Sequence, residues 1–212
     1  MSNCCSALQT QFDSDFARRE RERFERRGPI RTTRWLVDAL VEAGVEGSTV
    51  LDVGAGIGAV TEALLGAGAV RATHVEASSA QSQAARDRAS AAGSVDRIRF
   101  EVGDFVDLAA SLEPAGVVVL DRVICCYPHL DALLAASATR TLRLYGAVYP
   151  RDRLSVRMIL RLENFWKRLT RSPFRAYVHP VALIESRLRE LGLAPRSVRR
   201  TFAWEVAVFE RR

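Results

Sequence analysis

Short unbroken apolar runs and helical stripes alternate along most of this chain. Val50, Leu51 and Val53 follow Thr49 as an apolar, β-branched run suited to a buried parallel strand, with Asp52 the one intrusion. Gly54, Gly56 and Gly58 then allow a tight turn with bare backbone, and residues 59–65 read as a helix. A second apolar strand ends in Glu76. Residues 77–92 form a surface helix begun by Ser78 or Ser79, followed by strands over 97–102 and 117–120. A helix from Asp131 to Thr141 leads into a fifth strand over 142–148, ending at Tyr149-Pro150. His74 falls inside the second strand and reads as structural.

Towards the N-terminus, Phe12, Phe16 and Phe24 recur at multiples of four, which puts three rings on one face of a single helix over Ser6–Arg27. Gly28-Pro29 ends it. Thr32 or Thr33 caps a second helix reaching Ala43, with Leu36, Val37, Leu40 and Val41 towards the core. Between Asp152 and Leu169 lies the clearest amphipathic helix. Leu154, Met158, Leu162, Phe165 and Leu169 form one stripe and Arg153, Arg157 and Arg161 another, usually the mark of a core-facing helix with a solvated side. Its place after the fifth strand also suits a substrate-covering insertion whose basic lip could hold a carboxylate or an anionic lipid. Ser172-Pro173 breaks the helix, residues 181–191 are helical again, and Gly192 stops them. Trp204, Val206 and Val208 alternate as in antiparallel strands at a sheet edge, with only Phe202-Ala203 to separate the last two.

Together these elements predict an α/β fold: a Rossmann-like doubly wound sheet, mostly parallel with an antiparallel C-terminal edge. The 212 residues suit one domain. Within it we expect an N-terminal helical segment (1–30), a cofactor-binding core (31–150), a substrate-side insertion (151–180) and a C-terminal helix with edge strands (181–212). The first segment fits a lid over the cofactor cleft or a helix packed permanently on the sheet edge. No apolar run approaches the ~18–20 residues of a membrane span, and the start lacks the basic and apolar regions of a secretory signal. Four cysteines are too few for a disulfide scaffold, so a reduced, cytoplasmic setting is expected. The net charge is +6, Lys167 is the one lysine, and arginine is concentrated after Pro150. An anionic small molecule, an acidic membrane surface or nucleic acid would each suit that excess, although compositional bias explains part of it.

The glycine turn opens a helix whose first N–H groups favour a negative group on a ligand. Gly54-x-Gly56-x-x-Ala59 also satisfies a loose dinucleotide pattern, which keeps an NAD(P)-dependent oxidoreductase as the alternative. Asp52 separates the two. A carboxylate beside the turn repels a pyrophosphate by ~4 kcal/mol at ~4 Å for an effective dielectric near 20. S-adenosylmethionine has no phosphate, and its ammonium suits Asp52 directly or through water. Glu76 stands where a ribose diol can donate to one carboxylate.

Asp52-Val53-Gly54-Ala55-Gly56-Ile57-Gly58 resembles the glycine-rich motif of class I S-adenosylmethionine-dependent methyltransferases. The resemblance covers residues 50–150 well and the remainder loosely. It implies that Glu76, with Ala77 beside it, holds the ribose, and that Asp104, between Gly103 and Phe105, holds the adenine amino group. Asp121 and Arg122, leaving the fourth strand, complete the implied cofactor set.

Acceptor chemistry is expected in Asp121–His129, because the reactive crevice of an open α/β sheet lies at its strands' carboxyl ends. This stretch lacks the Asp/Asn/Ser-Pro-Pro-aromatic box of the nucleic-acid amino-methylases, so nucleic acid is not expected as a partner. It resembles the Asp-x-Leu-Ile-His-Tyr-Pro stretch of the magnesium-protoporphyrin O-methyltransferases at Asp121, Ile124, Tyr127 and Pro128. It departs in carrying Cys125-Cys126 where those enzymes have histidine, and in being one residue longer, so the acceptor stays open. We expect a small molecule, anionic or lipophilic, with peripheral contact at an anionic membrane compatible with the arginines. A non-catalytic cofactor-binding protein at such a surface is a further alternative. Tyr127, His129 and His179 are the candidates for base or positioning; a histidine titrates near working pH, whereas a tyrosine near 10 more often orients. Closure of the N-terminus could gather Cys4, Cys5, Cys125 and Cys126, but adjacent cysteines depart from zinc spacing, and no metal is expected.

Overall fold

The computed structural model describes residues 3–212, with side chains from Ala7 onward. Helices α1 (Asn3–Gln11), α2 (Ser14–Arg27) and α3 (Arg31–Glu42) precede β1 (Thr49–Val53), α4 (Ala59–Gly66) and β2 (Arg71–Glu76). Then come α5 (Ser79–Ala91), β3 (Ile98–Val102), α6 (Phe105–Leu108), β4 (Ala115–Asp121), α7 (Leu130–Thr139) and β5 (Thr141–Pro150). Helices α8 (Leu154–Leu169) and α9 (Val181–Glu190) lead to β6 (Leu193–Arg200) and β7 (Trp204–Arg211).

One seven-stranded sheet runs β3-β2-β1-β4-β5-β7-β6. Its first five strands are parallel, and β7 is antiparallel to both neighbours. Alternate residues of β4 explain its unbroken apolar run. Val117 and Val119 pack with Leu36, Leu40 and Leu64 on one face, while Val118 and Leu120 pack with Leu133, Leu134 and Leu188 on the other. Chain order reverses between β1 and β4, where such sheets open a crevice.

Three expectations need correction. The N-terminal segment is two helices, because the Asp13 carboxylate accepts from Phe16 N at 2.9 Å and starts a new one, leaving Phe12 in the turn. Ile30, not a threonine, precedes α3, and Val41 on that helix is exposed. The C-terminal edge is antiparallel as expected: β7 pairs with β5, and β6 is outermost, its Pro195 at a register shift where a missing N–H is tolerated. The largest departure is α8. Only Val156 of that helix is buried, and the apolar stripe expected to face the core faces outwards.

Candidate functional site

At the switch point the carboxyl ends of the parallel strands border a cavity of about 530 Å³, walled on its far sides by α2 and α8. That volume falls within the ~300–1,000 Å³ typical of small-molecule sites. Gly54 and Gly56, with φ of 61° and 56°, turn the chain along its floor beside Ala55. A Cβ on Gly54 would lie 2.6 Å from Val123 Cγ2, so the turn and the loop after β4 pack directly on each other. Gly58 does not line the cavity. It sits behind the turn, where an added Cβ would meet Ala85 at 3.3 Å, and so serves helix packing.

Six carboxylates line this cavity: Glu20, Asp52, Glu76, Asp104, Asp121 and, from α8, Glu163. Asp52 is buried, and both of its bonds fall on Oδ2, which accepts from Thr61 N at 3.1 Å and Thr61 Oγ1 at 2.7 Å. Burial, reinforced by Asp121 and Glu76, pushes its carboxyl up to about 7 despite those bonds. Asp52 therefore braces the first turn of α4 as well as facing the cavity. Glu76 is also committed in part. Its Oε2 accepts from Gly56 N at 2.9 Å and its Oε1 from Ser78 N at 2.8 Å, so it clamps the glycine turn to the start of α5. Desolvation still raises its pKa, as it does that of Asp121.

Asp104 caps α6 through Val106 N at 3.0 Å, and the same Oδ1 accepts from Tyr127 Oη at 2.9 Å. Gly103 and Phe105 flank it on the cavity wall, and Ala77 lies beyond Glu76. Arg122 has the left-handed φ of 61°, a conformation that costs a non-glycine residue roughly 1–2 kcal/mol. Its guanidinium lies 3.6 Å from Asp121 Oδ1 and 3.9 Å from Glu20 Oε1. The Thr33 hydroxyl donates to Asp121 Oδ2 at 2.5 Å. Sequence reasoning missed Glu20 and Thr33, whose helices reach the site only through the fold. Gln81 was missed too: its Oε1 is buried without a hydrogen-bond partner on the same wall, while its Nε2 donates to Glu20 at 3.1 Å.

Of the expected catalytic residues only Tyr127 lines the main cavity, and its hydroxyl is turned to Asp104. His129 is exposed on a shallower neighbouring pocket. His179 bonds the Tyr127 carbonyl at 3.1 Å and stacks on Tyr177, outside the cavity. Neither histidine lines the main cavity: each packs against Tyr127 or Tyr177 beside the β4 loop. His74 is fully buried, and desolvation lowers it to about 4, so it is a neutral core residue. Cys125 and Cys126 line the cavity with sulfurs 3.7 Å apart, and their mutual contact and burial hold the Cys126 thiol protonated. The expected gathering with Cys4 and Cys5 lies outside the described side chains. Among the described residues no group of three or more potential ligands is placed to hold a metal.

Residues 50–146 match a family model described as a methyltransferase domain. No curated protein matches the chain. Among solved structures, magnesium protoporphyrin IX methyltransferase from Synechocystis PCC 6803, with bound S-adenosylhomocysteine, is 18% identical, with a TM-score of 0.77 over 99% of this chain and 100% of that one. An O-methyltransferase family protein from Burkholderia thailandensis is 19% identical, with a TM-score of 0.70 over 97% of this chain and 63% of its own. Geranyl diphosphate methyltransferase, in complex with geranyl diphosphate and sinefungin, is 15% identical, with a TM-score of 0.69 over 85% of this chain and 76% of its own. At these identities the likenesses show a common fold.

Proposed function

We propose, from the premise that residues 50–146 form a class I S-adenosylmethionine-dependent methyltransferase domain, that this protein methylates a largely apolar small molecule. The observation that carries the reading is the division of the cavity. One side is a glycine turn surrounded by carboxylates, and the other brings together Val156, Leu160, Phe174 and Trp204, with Glu163 and Lys167 as the one charged pair among them.

The acidic end fits the cofactor. Three of its carboxyls are pushed towards their neutral forms by burial, so a cationic ligand stabilises them whereas a diphosphate adds repulsion. The buried Asp121 Oδ1 and Gln81 Oε1 lack hydrogen-bond partners and border the same space. In this reading Gly54, Ala55 and Gly56 offer backbone to the amino-acid carboxylate and Asp52 faces the ammonium. Glu76 and Ala77 take the ribose, Gly103, Asp104 and Phe105 the adenine, while Asp121 and Arg122 close the remaining side. The bound cofactor supplies a sulfonium-activated methyl group for in-line displacement.

What the chain contributes is alignment, which can provide ~7–11 kcal/mol in favourable cases. No histidine lines the cavity among the described residues, so transfer proceeds by positioning rather than through a histidine base. Helices α1 and α2 act as the lid, tied down by Ser78 Oγ donating to the Phe12 carbonyl at 2.5 Å and by Gln81 to Glu20. Residues 151–180 form the substrate-side insertion. Free thiols at Cys125 and Cys126 are in keeping with a reducing cytoplasm. Among the described residues no helix is long and apolar enough to cross a membrane.

Calorimetric titration tests the cofactor: S-adenosylhomocysteine should bind and NADH should not, and the reverse result overturns the reading. Tyr127→Phe tests the division of labour. Loss of one hydrogen bond to a charged group, worth ~1.5–3 kcal/mol, should weaken cofactor affinity roughly tenfold or more and leave the rate at saturating cofactor nearly unchanged. A fall of ~10²–10⁴ in that rate with intact affinity would restore Tyr127 as a proton carrier. His129→Ala should leave both parameters unchanged.

A further inference from the structure

On the outward face of α8, Leu154, Met158, Leu162, Phe165, Trp166 and Leu169 are all exposed, from 55% for Phe165 to 71% for Leu154. Contiguous apolar surface of this kind marks an interaction site. Along one flank of the stripe run Arg157, Arg161 and Arg168, all exposed. The one acid of the helix, Glu163, lies on the cavity side, beside Lys167 at 3.4 Å. An apolar face edged by arginine and carrying Phe and Trp is the make-up of a helix lying in a membrane interface. A second copy of the chain fits less well, because an antiparallel isologous pairing would bring the two arginine flanks together with only Asp152, 3.9 Å from Arg157, to offset them.

The outer face is also continuous with the cavity. Ile159 and Phe202 are 59% and 61% exposed, yet both line it, and Val156 and Leu160 on the inner side of α8 form its wall. One helix thus separates an apolar outer surface from an apolar chamber, with two shared residues at the junction.

We propose that α8 docks the protein on membrane surfaces containing anionic lipid, and that the acceptor enters the cavity from that membrane past Ile159 and Phe202. The second clause rests on the proposed methyl transfer; docking itself does not. It is tested by flotation of the full chain with phosphatidylcholine vesicles, with and without phosphatidylglycerol, at low and high salt, alongside Trp166 fluorescence. The protein should float with the anionic vesicles, with a blue-shifted Trp166 signal lost in Trp166→Phe, and should be released by salt. Leu162→Glu/Phe165→Glu, at two positions that do not line the cavity, should reduce partitioning roughly tenfold or more. The same variant should keep wild-type affinity for S-adenosylhomocysteine. Neutralising Arg157, Arg161 and Arg168 to Gln should cost roughly fivefold each. Failure of the wild-type chain to float with either vesicle overturns the proposal. So does a wild-type dimer in light scattering that the double variant converts to monomer, since a second copy then covers the helix. Loss of S-adenosylhomocysteine binding by wild type would instead sink the methyl-transfer reading and leave docking standing.

Discussion

Asp52→Asn is expected to lower the affinity for S-adenosylhomocysteine by roughly 10²-fold at pH 8, the ~3 kcal/mol lost when a buried charge pair is deprived of one partner. It should do so without unfolding the protein. Both bonds to Oδ2 come from Thr61, and an amide oxygen can accept them as a carboxylate oxygen does. The apo protein should even gain stability near neutrality. The folded-state carboxyl titrates at about 7, above its ordinary 3.8. The folded chain therefore retains a proton that the unfolded chain releases. The resulting stability is fully present below pH ~4 and is lost as pH rises through about 7, a swing on the order of 4 kcal/mol at ~1.36 kcal/mol per unit. Asparagine removes that step. A cationic ligand acts on the same equilibrium from the other side, because it binds the ionised form. Wild-type affinity should rise with pH towards a plateau above 7, and the variant should lack Asp52's share of that rise. Equal affinity of variant and wild type at pH 8 would remove Asp52 from the cofactor set.

Glu76→Ala should be damaging in two ways that different measurements separate. Both carboxylate oxygens accept backbone N–H groups, from Gly56 and Ser78, so truncation releases the glycine turn from α5. Each such bond to a charged group is worth ~1.5–3 kcal/mol. Relief of the desolvation that raises the Glu76 pKa offsets part of this. A net loss of about 1–3 kcal/mol should lower Tm by roughly 3–10 °C. Affinity for S-adenosylhomocysteine should fall further than that loosening explains, roughly 10²-fold or more, because the proposed ribose acceptor is also removed. Calorimetry beside a melting curve reads both, and a variant that melts early but binds normally would leave Glu76 a brace alone.

Much of the cofactor side could be read from the chain because it is built from consecutive strand ends. A short apolar run, a turn that needs bare backbone and an acid at the next strand's end are local signals. In a parallel sheet they converge automatically, which is why Asp52, Glu76 and Asp104 line one cavity. What was illegible depended on contacts between distant segments. Nothing near Glu20, Thr33 or Gln81 indicates that they meet Arg122, Asp121 and the glycine turn. Arg122 itself adopts a conformation that sequence would assign to glycine. The histidines show the converse: they are common in reactive sites, yet residue type does not say which side of a loop a ring occupies, and neither lines the main cavity. With α8 the periodicity was correct and the direction was not, since amphipathicity marks a boundary between two media without saying which of them is the protein interior.

Val123 fills the space that a side chain on Gly54 would take. The motif that opens the first crossover and the segment expected to choose the acceptor are consequently interlocked. Transplanting residues 121–129 from a relative should succeed only when the incoming segment carries a valine-sized group at 123. A bulkier one would push the hairpin out of shape, and a smaller one would leave a void beneath it. New acceptor preferences in this scaffold are therefore more accessible through the far wall, at α8, than through wholesale exchange of the β4 loop.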